Sequence, residues 1–253
     1  MSLYETWSDT IQPVTLLLKG DSGTGKTWKA SHFPKPVFFN FDGNMVGVNK
    51  LPDAVKQDIK VVNPAVDMDN KPIAVTKFWD NFMQKLGLVA EDPDTKTIVI
   101  DSLSTMADRL HWQLIGVQDP KQKPKGYDFW AYYKNHIQFF IDKVIHNPEL
   151  DKHVVVIAHT RLEKDELSGN ISRELALDGS MKDRMALHFS DVWECFARAP
   201  VGQSLAYKVR TVPGPNFTAK CSLDLPEEFE FDAQKDNMVK QLTALTSKPE
   251  VTA

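Results

Sequence analysis

Val14-Thr-Leu-Leu-Leu-Lys-Gly-Asp-Ser-Gly-Thr-Gly-Lys-Thr27 is the stretch whose reading decides the fold. Val14 to Leu18 form the continuous apolar run that a strand buried on both faces requires. Gly20 to Thr27 then fit GxxxxGK[ST], and Lys26 to His32 read as a short helix stopped before Pro34. A strand, a glycine-rich loop and a helix in that order make a phosphate cradle. The glycines let successive N–H groups point inward, and the helix start adds its positive end. Gly20, Asp21, Ser22, Gly23, Thr24, Gly25, Lys26, Thr27 and Trp28 are therefore the expected nucleotide-binding residues. Lys26 is expected to reach the β- and γ-phosphates, and the Thr27 hydroxyl to ligate Mg2+, which makes ATP with magnesium the implied ligand. The competing reading is a glycine-rich turn without a ligand.

Outward from this motif, short β-branched or aromatic runs alternate with helical patterns, the signature of crossover units building a parallel sheet. Strands are expected at Val37–Phe41, Ile59–Val62, Lys96–Asp101 and His153–Ala158, and helices at Ile73–Leu88, Leu103–Val117 and around Trp130–Val144. Residues 161–178 carry alternating charges and a Gly-Asn pair and read as a mobile surface excursion. A short helix is expected at Met181–Phe189. Strands at Val192–Ala197, Leu205–Thr211 and Phe217–Leu223, the last two joined by Pro-Gly-Pro, suit an antiparallel addition. The fold class is α/β, a mostly parallel central sheet flanked by helices with an antiparallel C-terminal extension. Residues 1–231 read as one domain and 232–253 as a polar tail with a weak helix.

Three strand ends carry chemistry. Asp101 closes Thr97-Ile-Val-Ile-Asp101, where a carboxylate can serve the metal; its plain alternative is a helix N-cap, and Ser102 or Ser104 could take that role instead. Asp42 ends Phe38-Phe-Asn-Phe-Asp42 and could orient the attacking water, or simply begin a turn with Gly43. His159 follows the 153–158 strand and could sense the γ-phosphate, or be a loop histidine bonded to backbone. Lys26, Asp42 and His159 are the catalytic candidates.

Composition narrows the class. Of 253 residues, 42% are hydrophobic and 25% charged, which describes a folded globular chain rather than a disordered or fibrous one. Thirty Lys+Arg against 34 Asp+Glu leave a net charge of −4, so any nucleic-acid contact must be local. Two cysteines exclude a disulfide framework and favour a reducing compartment. No signal-like start and no long apolar run suggest a membrane partner.

Leu16-Leu-Leu-Lys-Gly-Asp-Ser-Gly-Thr-Gly-Lys-Thr27, then Val37 to Gly43, then Thr97 to Ser104, then Val154 to Thr160 resemble, in order and spacing, the RecA-like core ATPases. The resemblance spans about residues 14–223. It is nearest to the compact phage-type branch implicated in recombination and single-strand annealing. It implies that Asp42 activates water, Asp101 serves the metal and His159 senses the γ-phosphate. Relatives carry Glu at the position of Asp42 and Gln at that of His159, and the shorter carboxylate is expected to slow hydrolysis. It also implies a ring or filament of identical subunits, single-stranded DNA and a single-strand-binding protein as partners, and a phage protein in the host cytoplasm.

In such assemblies a basic residue reaches the neighbour's γ-phosphate. Relatives place a Lys-x-Arg pair on a late strand, where this chain has Lys220-Cys-Ser222, so Arg210 and Lys220 are the trans-acting candidates, against a reading as solvated strand charges. The DNA-binding candidates are Lys121, Lys123 and Lys125, before an aromatic stripe, together with Arg161 and Arg173 in the excursion. The excursion is net acidic, which opposes phosphate, and the lysines suit a solvated linker equally well. Two other functions stay open: a P-loop kinase, though no segment concentrates arginine, and an adaptor or helicase-loading module with little turnover.

Overall fold

The computed structural model describes residues 13–116, 127–164, 169, 171–199, 204–215 and 217–246. The expected strands form, as β1 (Thr15–Gly20), β2 (Pro36–Asn40), β3 (Lys60–Val62), β4 (Thr97–Asp101) and β5 (His153–Lys164). Beyond them come β6 (Ile171–Leu175), β7 (Asp191–Arg198), β8 (Ala206–Arg210) and β9 (Glu228–Glu230). The sheet runs β3-β2-β4-β5-β1-β7-β8-β9; the first six strands are parallel, and β8 and β9 are antiparallel. The expected mostly parallel central sheet with an antiparallel extension is thus formed, with β5 between the glycine-loop strand β1 and β4, the strand of Asp101.

Helices cover both faces. They are α1 (Lys26–Ala30), α2 (Asp53–Lys56), α3 (Phe78–Glu91), α4 (Leu103–Leu114), α5 (Tyr127–Phe140, continuing as a π turn over Ile141–Ile145), α6 (Met181–Arg184) and α7 (Phe231–Thr246). Strand alternation splits the core into two layers. Leu17, Phe39, Ile98, Ile100, Val154 and Val156 meet α3, α4 and α5 through Phe82, Met106, Leu110, Ile137 and Phe140. Their neighbours Leu16, Leu18, Phe38, Val99, Val155 and Ile157 face the other way, against Ala30, Met238 and Leu242. Among the described residues, no helix is long and apolar enough to cross a membrane.

The structure revises four expectations. What is described of the 161–178 excursion is ordered: β5 runs on to Lys164 and pairs antiparallel with β6, which sets Arg161 opposite Glu174. Backbone pairing forms this ladder where apolar periodicity is missing, and Arg161 takes its carboxylate partner, Glu163, from its own strand. Phe217–Leu223 is not a strand; its ladder is reduced to isolated bridges, Val192 with Lys220 and Gly214 with Phe217. The Asp191 carboxylate accepts from Ser222 N at 2.6 Å and Ser222 Oγ at 2.8 Å and draws the chain aside. The outer edge of β8 goes instead to β9, whose Glu228 and Glu230 lie opposite Arg210 and Lys208. The helix expected from Ile73 starts only at Phe78, because Val66 and Pro72 bridge and Ile73 N–H is spent on Ala65 O.

The fourth concerns the C-terminus. Residues 231–246 form a packed helix, with Phe231, Met238 and Leu242 buried against the sheet. His153 pins it: its Nδ1 accepts from Val14 N–H at 3.0 Å, so Nε2 carries the proton given to Leu242 O at 3.0 Å.

Candidate functional site

Parallel register assembles the site. Gly20 at the end of β1 lies level with His159 on β5, while Asp101 at the end of β4 lies level with Asn40 on β2 and Ile157 on β5. Residues that follow parallel strands thus emerge at one sheet edge, where ligands of such sheets bind. There they line a cleft of about 690 Å3 that includes Lys26, Thr27, Asp42, Asp101 and His159. A larger hollow, about 990 Å3, lies at the opposite strand ends beside Thr15, Val154 and Ser190 and contains none of these residues; chemistry, not volume, marks the cleft as the site.

The loop between β1 and α1 is shaped by its glycines. Gly20 passes so close to the Cys195 carbonyl that a Cβ would overlap it, and Gly25 starts α1 in the left-handed region at φ 76°. Lys26 is 5% exposed and donates to the carbonyls of Gly20 and Asp21, both at 2.8 Å, closing the loop on itself. Burial lowers its pKa. Lys29, one helical turn on, is also buried and donates to Thr24 O at 2.8 Å, with the Tyr207 and Phe231 rings each 5.8 Å from its ammonium.

The carboxylates are set differently. Asp101 Oδ2 accepts the Thr27 hydroxyl at 2.8 Å; burial, helped by the charge of Asp42, pushes its pKa up to about 6. Burial would raise Asp42 too, but hydrogen bonds from His159, Thr105 and Ser102 outweigh it and hold Asp42 at about 2. Its Oδ1 accepts from Ser102 Oγ at 2.9 Å and its Oδ2 from His159 Nε2 at 3.1 Å. An ionised carboxylate only accepts, so that imidazole nitrogen bears hydrogen. Ser102 also caps α4 by accepting from Thr105 N–H, which leaves Asp101 free of the capping role.

These observations decide the family, because residues 12–222 match the model described as an AAA domain. The chain belongs to that AAA domain family. No curated protein matches it by sequence. Among solved structures, this AAA chain is similar to a KaiC-like protein of Pyrococcus horikoshii (13% identity, 78% of each chain, TM-score 0.44). It is also similar to the flagellar accessory protein FlaH of Methanocaldococcus jannaschii (11% identity, 83% of this chain and 84% of that one, TM-score 0.41).

The remaining predicted residues of this AAA chain are scattered. Ser22, Gly23 and Trp28 line the cleft, whereas Asp21 turns to Thr160 Oγ1, 2.8 Å away, and to Arg173. Arg210 is held by Glu228 at 2.8 Å and lies 4.2 Å from the Phe196 ring centre; Lys220 is exposed on its single bridge. Arg161 is paired with Glu163 at 2.9 Å. Lys121, Lys123 and Lys125 lie outside the described residues. Sequence reasoning missed Lys29, Tyr207 and Phe231, which depend on β8 and α7 folding back over α1; Ser102 takes the capping role expected as one alternative, and only its bond to Asp42 went unforeseen.

The donor set fits magnesium. Thr27 Oγ1 and Asp101 Oδ2 are hard oxygens already in contact, and no cluster of three or more His, Cys, Asp or Glu competes for a metal among the described residues.

Proposed function

We propose that this protein is a magnesium-dependent ATPase whose nucleotide state governs its hold on single-stranded DNA in phage recombination or annealing. The convergence of Lys26, Thr27, Asp101, Asp42 and His159 on one cleft carries the enzymatic part. Loop amides and Lys26 bind the phosphates, Lys26 exchanging its two loop carbonyls for phosphate oxygens. Thr27 and Asp101 hold the magnesium, which neutralises phosphate charge when bound. Asp42, kept ionised and braced from both sides, accepts a hydrogen from the attacking water and orients it. His159 keeps Asp42 aimed and reports the γ-phosphate to the strand that bears it. The aromatic wall of Trp28, Tyr207 and Phe231 supplies a surface for the base.

The DNA part is supported by the resemblance to RecA-like recombination proteins and by the basic 121–125 segment. Self-assembly into a ring or filament follows from the same resemblance, with Arg210 or Lys220 offered to a neighbour. One set of assays tests the proposal: ATP hydrolysis with and without single-stranded DNA, for the native protein and Lys26→Ala. Turnover that needs Mg2+, rises with DNA and is lost in the variant is expected. Normal turnover by Lys26→Ala refutes the assignment of the cleft. ATP binding with no turnover under any condition favours the adaptor reading instead.

A further inference from the structure

Asp21 places a carboxylate inside a loop that has to receive a polyphosphate. Its charge opposes that ligand unless something neutralises it, and two groups from the paired strands β5 and β6 hold it. Thr160 Oγ1 donates to Asp21 Oδ1 at 2.8 Å, and Arg173 forms an ion pair with Asp21 Oδ2. Thr160 directly follows His159 on β5, and Arg173 stands on β6, opposite Leu162. The base of the β5–β6 hairpin is therefore fastened to the phosphate loop at two points, 139 and 152 residues away in sequence. The charge of Glu194 also acts on Arg173, and that of Lys26 on Asp21, so the pair belongs to a group of alternating charge.

Resting on the nucleotide-binding reading above, we infer that Arg173 is a positioning residue for nucleotide. It cancels the Asp21 charge so that the loop can accept phosphate, and through that bond nucleotide binding and hairpin closure favour each other. The reciprocity is a thermodynamic requirement: if the closed pair raises nucleotide affinity, bound nucleotide must stabilise the closed pair by the same factor. Arg173, read from sequence as a DNA contact, is thereby committed to the loop. The two side chains are 38% and 48% exposed, so solvent screens the effect and a moderate one is expected.

The test is a charge cycle read by binding of a fluorescent ATP analogue with Mg2+. Arg173→Ala should weaken binding roughly 5- to 10-fold, because the carboxylate is left uncancelled. Arg173→Lys, which keeps the charge, should stay within about 2-fold of native. Asp21→Asn combined with Arg173→Ala should recover most of the loss, a rescue that a merely structural arginine would not show. In the native protein, nucleotide should slow hydrogen exchange in strand 171–175, and in the double variant it should not. Thermal unfolding of each variant confirms that it is folded. Unchanged affinity in Arg173→Ala, or a double variant as weak as Arg173→Ala alone, overturns the inference while leaving the cleft assignment intact. If the folded native protein binds no nucleotide, and Lys26→Ala matches it, the cleft assignment fails and the inference with it.

Discussion

Asp42 and Asp101 are two carboxylates at adjacent strand ends with opposite settings, one held at about 2 by its donors and the other pushed up to about 6 by burial. Environments that separate like groups in this way divide their roles. Asp42→Asn should therefore leave nucleotide affinity within a few-fold while lowering kcat about 100-fold or more, on the scale of general-base losses; steady-state kinetics beside a binding titration measure both, and an unchanged kcat reduces Asp42 to a bracing residue. These aspartates and His159 were legible because strand-end chemistry is local: an apolar run followed by one polar side chain names its own edge. The Asp21–Arg173 pair was not legible, since a bond across 152 residues leaves no mark in either neighbourhood. Lys29 was hidden for a related reason, because only the folded aromatic wall turns a helix lysine inward.

At the scale of elements, α7 shows how a polar sequence can still belong to the core. Its apolar positions are sparse, but Met238 and Leu242 are 1% and 0% exposed and the Leu242 carbonyl accepts a hydrogen bond from His153 Nε2. Leu242→Ala should cost about 2 to 4 kcal/mol in a denaturant titration, whereas Lys240→Ala on the exposed side should change stability by no more than about 0.5 kcal/mol. Equal costs would mean that the helix is peripheral. The central strands were readable because burial on both faces leaves continuous apolar runs. The 161–175 hairpin and the identity of the last strand were not, because the pairing of β5 with β6, the Lys208 and Arg210 bonds to Glu228 and the Asp191–Ser222 bonds carry no period.

For the whole molecule, His153 links β1, β5 and α7 through its two ring nitrogens, and burial lowers its pKa from 6.5 to about 4. A histidine depressed in the fold contributes stability that is complete above pH 6.5 and is lost as pH falls through 4. Its share of acid destabilisation over that window is about 3 kcal/mol. Urea unfolding at pH 4 to 7 should show this slope in the native protein. His153→Phe should be less stable at pH 7, with two backbone groups unpartnered, yet flatter towards acid; an equally steep variant assigns the acid sensitivity elsewhere. Cys195, whose carbonyl lies against Gly20, has a further consequence. It is 1% exposed, while Cys221, the only other thiol, is partly open; burial pushes both thiols up to about 11, so access and not acidity separates them. The slower of the two alkylation phases therefore serves as a built-in clock for parting of the strands beneath the glycine loop, with no cysteine added to the sequence.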